Sequence, residues 1–145
     1  MITRIATELD LDALMSIEQA AHSHPWTQAI LLPYINKQCV HVGLVNGLIV
    51  GFAVLRVVAD EAELLNIAIA PEQQGRGYGA MLLTAILHVA QSKASQCYLE
   101  VRESNQAAIA LYERFDFVQV GTRPRYYPTH NGQEDALLYA RELYD

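Results

Sequence analysis

Cysteine is scarce in this chain of 145 residues. There are two, Cys39 and Cys97, which lie far apart and belong to no CxxC motif. That number and spacing fit a reducing cytosol better than a disulfide framework, and we expect both to be core residues. Two of the five histidines, His22 and His24, lie close together, but no further ligands follow at a suitable spacing, and we predict no metal.

Basic residues are also few. There are 10 Lys and Arg against 16 Asp and Glu, which gives a formal net charge of -6 and an isoelectric point near 5.3. Attraction to a phosphate backbone is therefore not expected as a main function, and we predict no direct nucleic-acid partner. A basic peptide would instead be attracted to such a protein.

Long hydrophobic runs, repeats and linkers are absent. The longest stretch without a charged residue, 38–55, contains His41, Asn46 and several glycines, which is typical of a hairpin rather than a membrane span. Acidic residues near the beginning of the chain occupy positions where a signal peptide needs an apolar core. With 52% hydrophobic residues, we expect one compact, soluble, cytoplasmic domain over residues 1–145.

Periodicity and turn signals predict an α/β fold with a mostly antiparallel sheet. The pair Asn46-Gly47 between two apolar runs predicts a hairpin. Asp10 and Thr27 are candidate helix caps, and Pro33 is expected to kink or end the second helix. A further helix should begin at Ser104 or Asn105. The predicted strands are residues 2–6, 40–45, 48–58, 62–70, 96–101, 117–123 and 136–143.

A glycine-rich segment carries the clearest functional signal. In Gln74-Gly75-Arg76-Gly77-Tyr78-Gly79-Ala80, three glycines lead into an amphipathic run. The first N–H groups of a helix have no helical partner and carry a positive partial charge, and glycine lets a ligand approach the backbone closely. This segment therefore predicts a phosphate-binding loop. The helix after it lies between two strands, which should consequently be parallel and adjacent.

The glycine loop is compatible with more than one phosphorylated cofactor. It also fits the dinucleotide pattern GxGxxA, with Glu100 at about the spacing of the ribose-binding acid. A dinucleotide fold, however, normally begins with this loop, whereas here an antiparallel meander precedes it. A P-loop is excluded because no Lys-Ser or Lys-Thr follows the glycines.

Several segments resemble the Gcn5-related N-acetyltransferases (GNAT). QQGRGYGA resembles their acyl-CoA loop, Q/R-x-x-G-x-G/A. Across nearly the whole chain, other segments are similar to one branch, the bacterial ribosomal-protein-alanine N-acetyltransferases (RimI). These segments are HPW (24–26), DEAELLNIAIAPEQQGRGYG (60–79), LEVRESNQAAIALYERFDF (99–117) and RYYPTHNGQEDALLY (125–139).

The resemblance implies a fold and a cosubstrate. The GNAT fold is a mixed, mostly antiparallel sheet with a central splayed pair of parallel strands and helices on both faces, and it binds acetyl-CoA. Backbone groups of Ile67, Ala68 and Ile69 would hold the pantetheine arm, and Asn105 matches the family's cofactor-contacting asparagine. The pyrophosphate would be held by Gly75, Arg76, Gly77, Tyr78, Gly79 and Ala80.

Two residues take the catalytic roles by the same resemblance. Glu100 is the implied general base, although a salt-bridged sheet residue is the alternative, and Glu103 lies close enough in sequence to be mistaken for it. Tyr112 is the implied general acid, although an aromatic residue packing the helix on the sheet is the alternative. A local pKa shift could offset the modest cost of protonating a thiolate with a phenol. Neither cysteine falls in these motifs, which favours direct transfer in a ternary complex.

The acceptor implied by the resemblance is the N-terminal alanine of small-subunit ribosomal protein eighteen, a basic tail. The implied substrate-binding residues are Trp26, Tyr126, Tyr127, Glu134 and Asp135. Together with Asp60, Glu61 and Glu63, the last two could form an acidic entrance, or a solvated acidic face. Two other functions stay open: acetylation of lysine side chains or small amines, and a non-catalytic acyl-CoA-binding module. A monomer is favoured.

The sequence departs from the family pattern at two positions. Asp116 replaces a glycine at the end of a helix, where aspartate tolerates the left-handed conformation less well than glycine. Pro33 makes the second helix shorter or bent and leaves the shape of the substrate lip undefined.

Overall fold

The computed structural model describes residues 1–144, which contain seven strands and four α-helices. Two short 3-10 turns, Glu8–Asp10 and Pro71–Gln73, complete the regular structure. In chain order the elements are β1 (Ile2–Ile5), α1 (Leu11–Ala21), α2 (Gln28–Asn36), β2 (Val40–Val45), β3 (Leu48–Val58), β4 (Glu61–Ile69), α3 (Tyr78–Gln91), β5 (Gln96–Arg102), α4 (Gln106–Arg114), β6 (Val118–Thr129) and β7 (Gly132–Glu142).

All the described strands belong to one sheet, with the hydrogen-bonded order β1-β2-β3-β4-β5-β7-β6. The sheet is mostly antiparallel with one parallel pair, which confirms the predicted mixed α/β fold. Residue contacts divide the chain into two compact units. Unit 1 contains Met1–Arg56 and Leu64–Ala90, and unit 2 contains Val57–Glu63 and the described residues from Gln91 onward. That residues 1–145 form one domain stays a prediction.

The core of unit 1 forms where α1 and α2 cover β2 and β3. Apolar side chains from these elements and from the end of β4 make one buried cluster, because each helix presents one apolar face. Its buried members are Ala6, Leu14, Ile17, Leu31, Ile35, Val40, Val42, Phe52, Val54, Ala68 and Ala70. The apolar residues of α3 are also buried, in the stripe that helical spacing predicts: Leu82, Leu83, Ile86, Leu87 and Ala90.

The hairpin between β2 and β3 has the predicted turn. Asn46 has φ 52° and Gly47 has φ 79°, the two positive values that a type I′ turn requires. Val45 pairs with Leu48 across it. The conformational preferences of Asn46 and Gly47 are therefore sufficient to explain the turn between β2 and β3.

Asp10 occupies the predicted N-cap position of α1, but its side chain makes no capping hydrogen bond to that helix. A 3-10 turn, Glu8–Asp10, precedes the helix, so Thr7 is the residue before the first helical turn. The Asp10 side chain turns back and accepts hydrogen bonds from the Thr7 backbone N–H at 2.8 Å and from both terminal nitrogens of Arg4 at 2.8 and 3.0 Å. Arg4, first of these partners, lowers the pKa of Asp10.

Pro33 does not end α2. The helix begins after Thr27, whose Oγ1 accepts from the Ile30 N–H at 3.3 Å, and runs three residues beyond the proline to Asn36. The proline removes one backbone hydrogen bond, but Leu31 and Ile35 on either side of it are buried in the core. The burial of Leu31 and Ile35 therefore outweighs the free-energy cost of a proline inside the helix.

In unit 2, β5, β7 and β6 form consecutive antiparallel pairs. Strands β6 and β7 are longer than predicted, and β6 continues through Pro124 and Pro128. The register of β6 against β7 shifts at two places. Gln119 lies opposite Tyr139 and Gly121 opposite Leu138, which makes a one-residue bulge. Further on, Arg123 lies opposite Ala136, whereas Tyr127 lies opposite Glu134. Four steps along β6 therefore match two along β7, a bulge with two extra residues.

Helix α4 ends in a Schellman motif. Asp116 has φ 67°, its N–H donates to the Glu113 carbonyl at 3.1 Å, and the Phe117 N–H donates to the Tyr112 carbonyl at 3.1 Å. The rings of Phe117 and Tyr112 make the accompanying apolar contact at 5.9 Å. Asp116 thus occupies the left-handed position that glycine prefers.

Replacing Asp116 with glycine is expected to raise the free energy of unfolding by about 1 kcal/mol, because the left-handed conformation no longer carries a Cβ penalty. For a chain of this size the thermal midpoint should rise by about 3 °C. Asp116→Ala is the control, since it also removes the carboxylate but keeps Cβ. Equal stability of the two variants in thermal denaturation would contradict this explanation.

Candidate functional site

The end of β4 and the loop after it contain most of the predicted cofactor-binding residues, all within unit 1. Ile67 and Ile69 are half-buried, and Ala68 between them is buried. The loop is tied back to this strand, because the Gln74 side-chain amide donates to the Ile69 carbonyl at 3.0 Å. The strand residues and the glycine loop therefore keep a fixed relation to each other.

The glycines of the loop have the geometry of a ligand cradle. Gly75 has φ 80° and Gly77 has φ 84°, values that side chains disfavour. A Cβ built at either position would meet no atom within 4 Å, so the space above this backbone is open. Such an open backbone fits a bulky pyrophosphate.

Helix α3 begins directly after these glycines. The Met81 N–H donates to the Gly77 carbonyl at 3.1 Å, which is the first backbone hydrogen bond of the helix. No acidic residue lies in its first turn. The N–H groups of Tyr78, Gly79 and Ala80 precede Met81, the first residue whose N–H donates within the helix. These donors and the helix dipole make the segment suitable for an anion.

Gly51 in β3 permits a close approach to the predicted cofactor strand. A Cβ at this glycine would lie 2.5 Å from the Ala68 carbonyl oxygen and 2.5 Å from Cδ1 of Ile69. Neither distance is compatible with a side chain. Gly51 therefore determines where the backbone of Ala68 lies, a role that no sequence motif indicated.

In unit 2, the implied base and several predicted substrate-binding residues lie on one sheet face. The register places Glu100 opposite Leu138 and Arg102 opposite Ala136. Side chains alternate along each strand, so residues in register and every second residue share a face. By this rule the face carries Glu100, Arg102, Arg123, Tyr127, Glu134, Ala136 and Leu138.

Glu100 is paired with an arginine, though not with Arg102, its neighbour on the strand face. Its Oε1 lies 3.2 Å from Nη2 of Arg123, and its side chain is 32% exposed. Arg102 instead donates to the Pro128 carbonyl at 2.7 Å and lies 3.6 Å from Oε2 of Glu134. The implied base is thus accessible, with one cation beside it.

Tyr126 and Tyr127 form an aromatic pair over these two arginines. Their rings meet edge to face at 5.1 Å. The Arg102 guanidinium lies 4.5 Å from the Tyr127 ring centre, and that of Arg123 lies 5.3 Å from the Tyr126 ring centre, both typical cation–π distances. Burial, followed by the charge of Glu100, raises the pKa of Tyr127.

Tyr112 lies in α4 with 6% of its surface exposed. Burial, followed by the proximity of Tyr127 and Cys97, raises the pKa of its phenol above the ordinary value of 10.0. The expectation that a local pKa shift could offset the cost of donating this proton is therefore wrong, because desolvation disfavours the phenolate. The phenol stays protonated and can act as a donor throughout the neutral range.

The remaining predicted residues of unit 2 all have partners inside the chain. Asn105 caps α4, with its Oδ1 accepting from the Ala108 N–H at 3.2 Å, which leaves its amide NH₂ for a ligand. Glu134 accepts from the N–H and hydroxyl of Ser104, which lowers the pKa of its carboxyl group. Asp135 accepts from the Arg125 N–H at 2.9 Å, where the chain has φ 52° in the β6 bulge.

Two further acidic residues also serve the structure. Asp60 accepts from the Ser95 N–H at 3.1 Å and from the Ser95 hydroxyl within unit 2.

In unit 1, Glu18 is a buried carboxylate whose Oε2 accepts from the Trp26 N–H at 2.8 Å. Trp26 itself stacks on Tyr34 with ring centres 5.6 Å apart. Glu18 was not singled out from the sequence.

Neither a membrane span nor a metal cluster is found in the described part of the chain. Within residues 1–144 no helix has the length and apolar character needed to cross a membrane. No group of three or more His, Cys, Asp or Glu side chains comes together there in a way that could hold a metal ion.

Comparison with known proteins identifies a family. The family model described as acetyltransferase (GNAT) family matches residues 11–117. The chain is 41% identical over 137 residues to the [ribosomal protein bS18]-alanine N-acetyltransferase of Escherichia coli K12, with 90% of each chain covered.

Solved structures give the same result. The crystal structure of the ribosomal-protein-S18-alanine N-acetyltransferase from Escherichia coli superimposes with a TM-score of 0.93 at 36% identity, covering 99% of this chain and 94% of that one. A second fold neighbour, an acetyltransferase from Salmonella typhimurium solved with acetyl-CoA, has a TM-score of 0.83 at 20% identity and covers 100% and 95% of the two chains.

Proposed function

Because this chain belongs to the acetyltransferase (GNAT) family, we propose that it transfers the acetyl group of acetyl-CoA to the N-terminal alanine of ribosomal protein bS18. The observation that carries the proposal is the 41% identity to an enzyme named for that reaction, which extends over 90% of both chains. We also propose that it acts in the cytoplasm, where its two cysteines, which form no disulfide, would stay reduced.

Unit 1 has the groups that acetyl-CoA requires. The open backbone at Gly75 and Gly77 and the free donors at the start of α3 suit the pyrophosphate. The backbone of Ile67, Ala68 and Ile69 would hold the pantetheine arm, with Gln74 already bound to the Ile69 carbonyl. The bound cosubstrate supplies an activated acyl group as its thioester.

The chemical roles fall to residues of unit 2. An N-terminal amine has a pKa of roughly 7.7 to 8.0, so a carboxylate such as Glu100 can accept its proton directly or through one water. Tyr112 would donate a proton to the departing sulfur. Its raised pKa makes complete transfer to a finished thiolate uphill, so the proton would have to move to sulfur as the carbon–sulfur bond breaks and leave with the free thiol of CoA.

Direct transfer agrees with the positions of the cysteines. Cys97 is fully buried in β5, and the thiol of Cys39 donates to the Lys37 carbonyl at 3.7 Å. Neither lies on the sheet face that carries Glu100 and Arg123. An acetyl-cysteine intermediate is therefore not part of the proposal.

The test of the proposed function is mass spectrometry of ribosomal proteins incubated with acetyl-CoA and the purified enzyme. We expect one added acetyl group, on the N-terminal residue of bS18. A peptide with a blocked N-terminus and an internal lysine should react much more slowly than an alanine-initiated bS18 peptide. Faster reaction of the lysine peptide would refute the substrate, and binding of acetyl-CoA without any transfer would indicate a non-catalytic module.

Replacing Gly51 with alanine is expected to raise the Kd for acetyl-CoA by roughly tenfold, since the new methyl group displaces the Ala68 carbonyl. Calorimetric titration measures this effect. The control is Gly43→Ala on the neighbouring strand, where a Cβ would meet the flexible Met1 side chain at 3.0 Å. If both variants bind acetyl-CoA like the wild type, Gly51 does not determine the position of the cofactor strand.

A further inference from the structure

Glu18 of α1 is a carboxylate in the interior of unit 1, with its side chain 1% exposed. Burial by itself favours the protonated acid, but hydrogen bonds from His22, the Trp26 amide and Asn66 more than compensate, and the pKa of Glu18 is lowered. A buried anion is costly unless such donors surround it. The charge is therefore retained by a specific set of contacts.

These donors come from three separate parts of unit 1. Nδ1 of His22, just after α1, lies 2.9 Å from Oε1 of Glu18, and Nδ2 of Asn66 on β4 lies 3.1 Å from the same oxygen. The Trp26 N–H donates to the other oxygen at 2.8 Å. One side chain thus joins α1, the segment before α2 and β4.

Besides its bond to Glu18, the segment is held by the Trp26 ring, which stacks on Tyr34 and packs against the core. Residues 22–27 form no helix or strand, so they lack the regular backbone bonds of their neighbours. Trp26, the predicted substrate-binding residue, belongs to this segment. On the other side, Asn66 directly precedes Ile67, the first residue predicted to hold the pantetheine arm.

We propose that Glu18 is a positioning residue for the acceptor peptide: its carboxylate holds the Trp26 segment at a fixed place against β4. The inference rests on the proposed acetyl transfer to a peptide. It assigns Glu18 no contact with a substrate. Its effect is exerted through Trp26, whose ring orientation depends on the backbone that Glu18 anchors.

The only tryptophan of the chain is Trp26, which makes the proposal testable without turnover. In Glu18→Gln, one oxygen acceptor and the charge are lost, and we expect a red-shifted Trp26 emission and stronger acrylamide quenching with unchanged far-UV circular dichroism. The matched control is Asp10→Asn, which removes the charge of another buried carboxylate in unit 1, one paired with Arg4. This control should lower stability without moving the emission.

Kinetics with the full-length enzyme separate positioning from stability. In Glu18→Gln we expect the KM for the alanine-initiated peptide to rise about tenfold while the KM for acetyl-CoA changes less than about twofold. Asp10→Asn should leave both KM values unchanged at a temperature well below its melting point. Asn66→Ala removes one donor to Glu18 and leaves the carboxylate in place, so the peptide KM should rise by a smaller factor. This variant replaces Glu18→Gln in the test if Glu18→Gln does not fold.

The outcomes are distinguishable. Unchanged emission and unchanged peptide KM in folded Glu18→Gln or Asn66→Ala would overturn the positioning role and leave Glu18 a stabilising residue only. If the wild-type enzyme acetylates no peptide, the proposed function fails, and the fluorescence comparison still decides whether Glu18 holds the Trp26 segment.

Discussion

Replacing Tyr112 with phenylalanine is expected to lower kcat by about a hundredfold or more and to change the Kd for acetyl-CoA by less than about twofold. The ring, which packs edge to face on Phe117, is preserved, so the cofactor half and the fold should be intact. The hydroxyl is needed only when the sulfur departs. Pre-steady-state kinetics with acetyl-CoA and the alanine-initiated peptide would measure the chemical step directly.

Tyr139→Phe is the matched control for Tyr112→Phe. Tyr139 is also buried in unit 2, and its hydroxyl donates to Oε2 of Glu113 at 3.4 Å. It lies on β7 opposite Leu99, on the sheet face that does not carry Glu100. Loss of this hydroxyl should leave kcat unchanged. An unchanged chemical step in Tyr112→Phe would remove Tyr112 from the mechanism.

Replacing Glu100 with glutamine is expected to lower kcat/KM for the peptide by about a hundredfold and to alter its dependence on pH, because the group that accepts the amine proton is lost. The isosteric amide keeps the size of the side chain. A pH series of kcat/KM, recorded for wild type and variant under the same conditions, measures both effects.

Two further variants separate the base from an ordinary ion-pair partner. Arg123→Gln breaks the 3.2 Å contact but keeps the Glu100 carboxylate, so it should retain most activity if Glu100 is the base. Glu103→Gln alters the exposed acid that lies closest in sequence and should have little effect. If Glu100→Gln and Arg123→Gln lose activity equally, the ion pair rather than proton transfer explains the loss.

The parts of the fold that were predictable from sequence depend on local rules. Asn46-Gly47 specifies its turn because both residues accept positive φ, and the α3 stripe follows from helical spacing. The cap at Asn105 was similarly recognisable. By contrast, Asp10 fits a helix cap as well as a 3-10 turn, and only its pairing with Arg4 on β1 decides between them.

The unpredicted parts of the site depend on distant partners. Glu18 lies on the helix face that is otherwise apolar, yet its partner Asn66 is 48 residues away, which periodicity cannot reveal. The same is true of Arg123, which the hairpin register brings beside Glu100. Gly51 is informative only once β4 lies beside it. A single sequence records the chemistry of such residues but not what faces them.

The bulge in β6 between Arg123 and Tyr127 determines which sheet face Tyr127 occupies. Between Arg123 and Tyr127 the strand has two residues more than β7, an even number, so Tyr127 keeps the same side of the pleat as Glu134 and Glu100. Gain or loss of a single residue within 124–126 would turn Tyr127 to the opposite side unless the backbone absorbed it as a one-residue bulge, as β6 does between Gln119 and Gly121. A change of length in this hairpin therefore keeps Tyr127 on the Glu100 face only where the added residues and the bulge geometry together preserve the alternation of side chains.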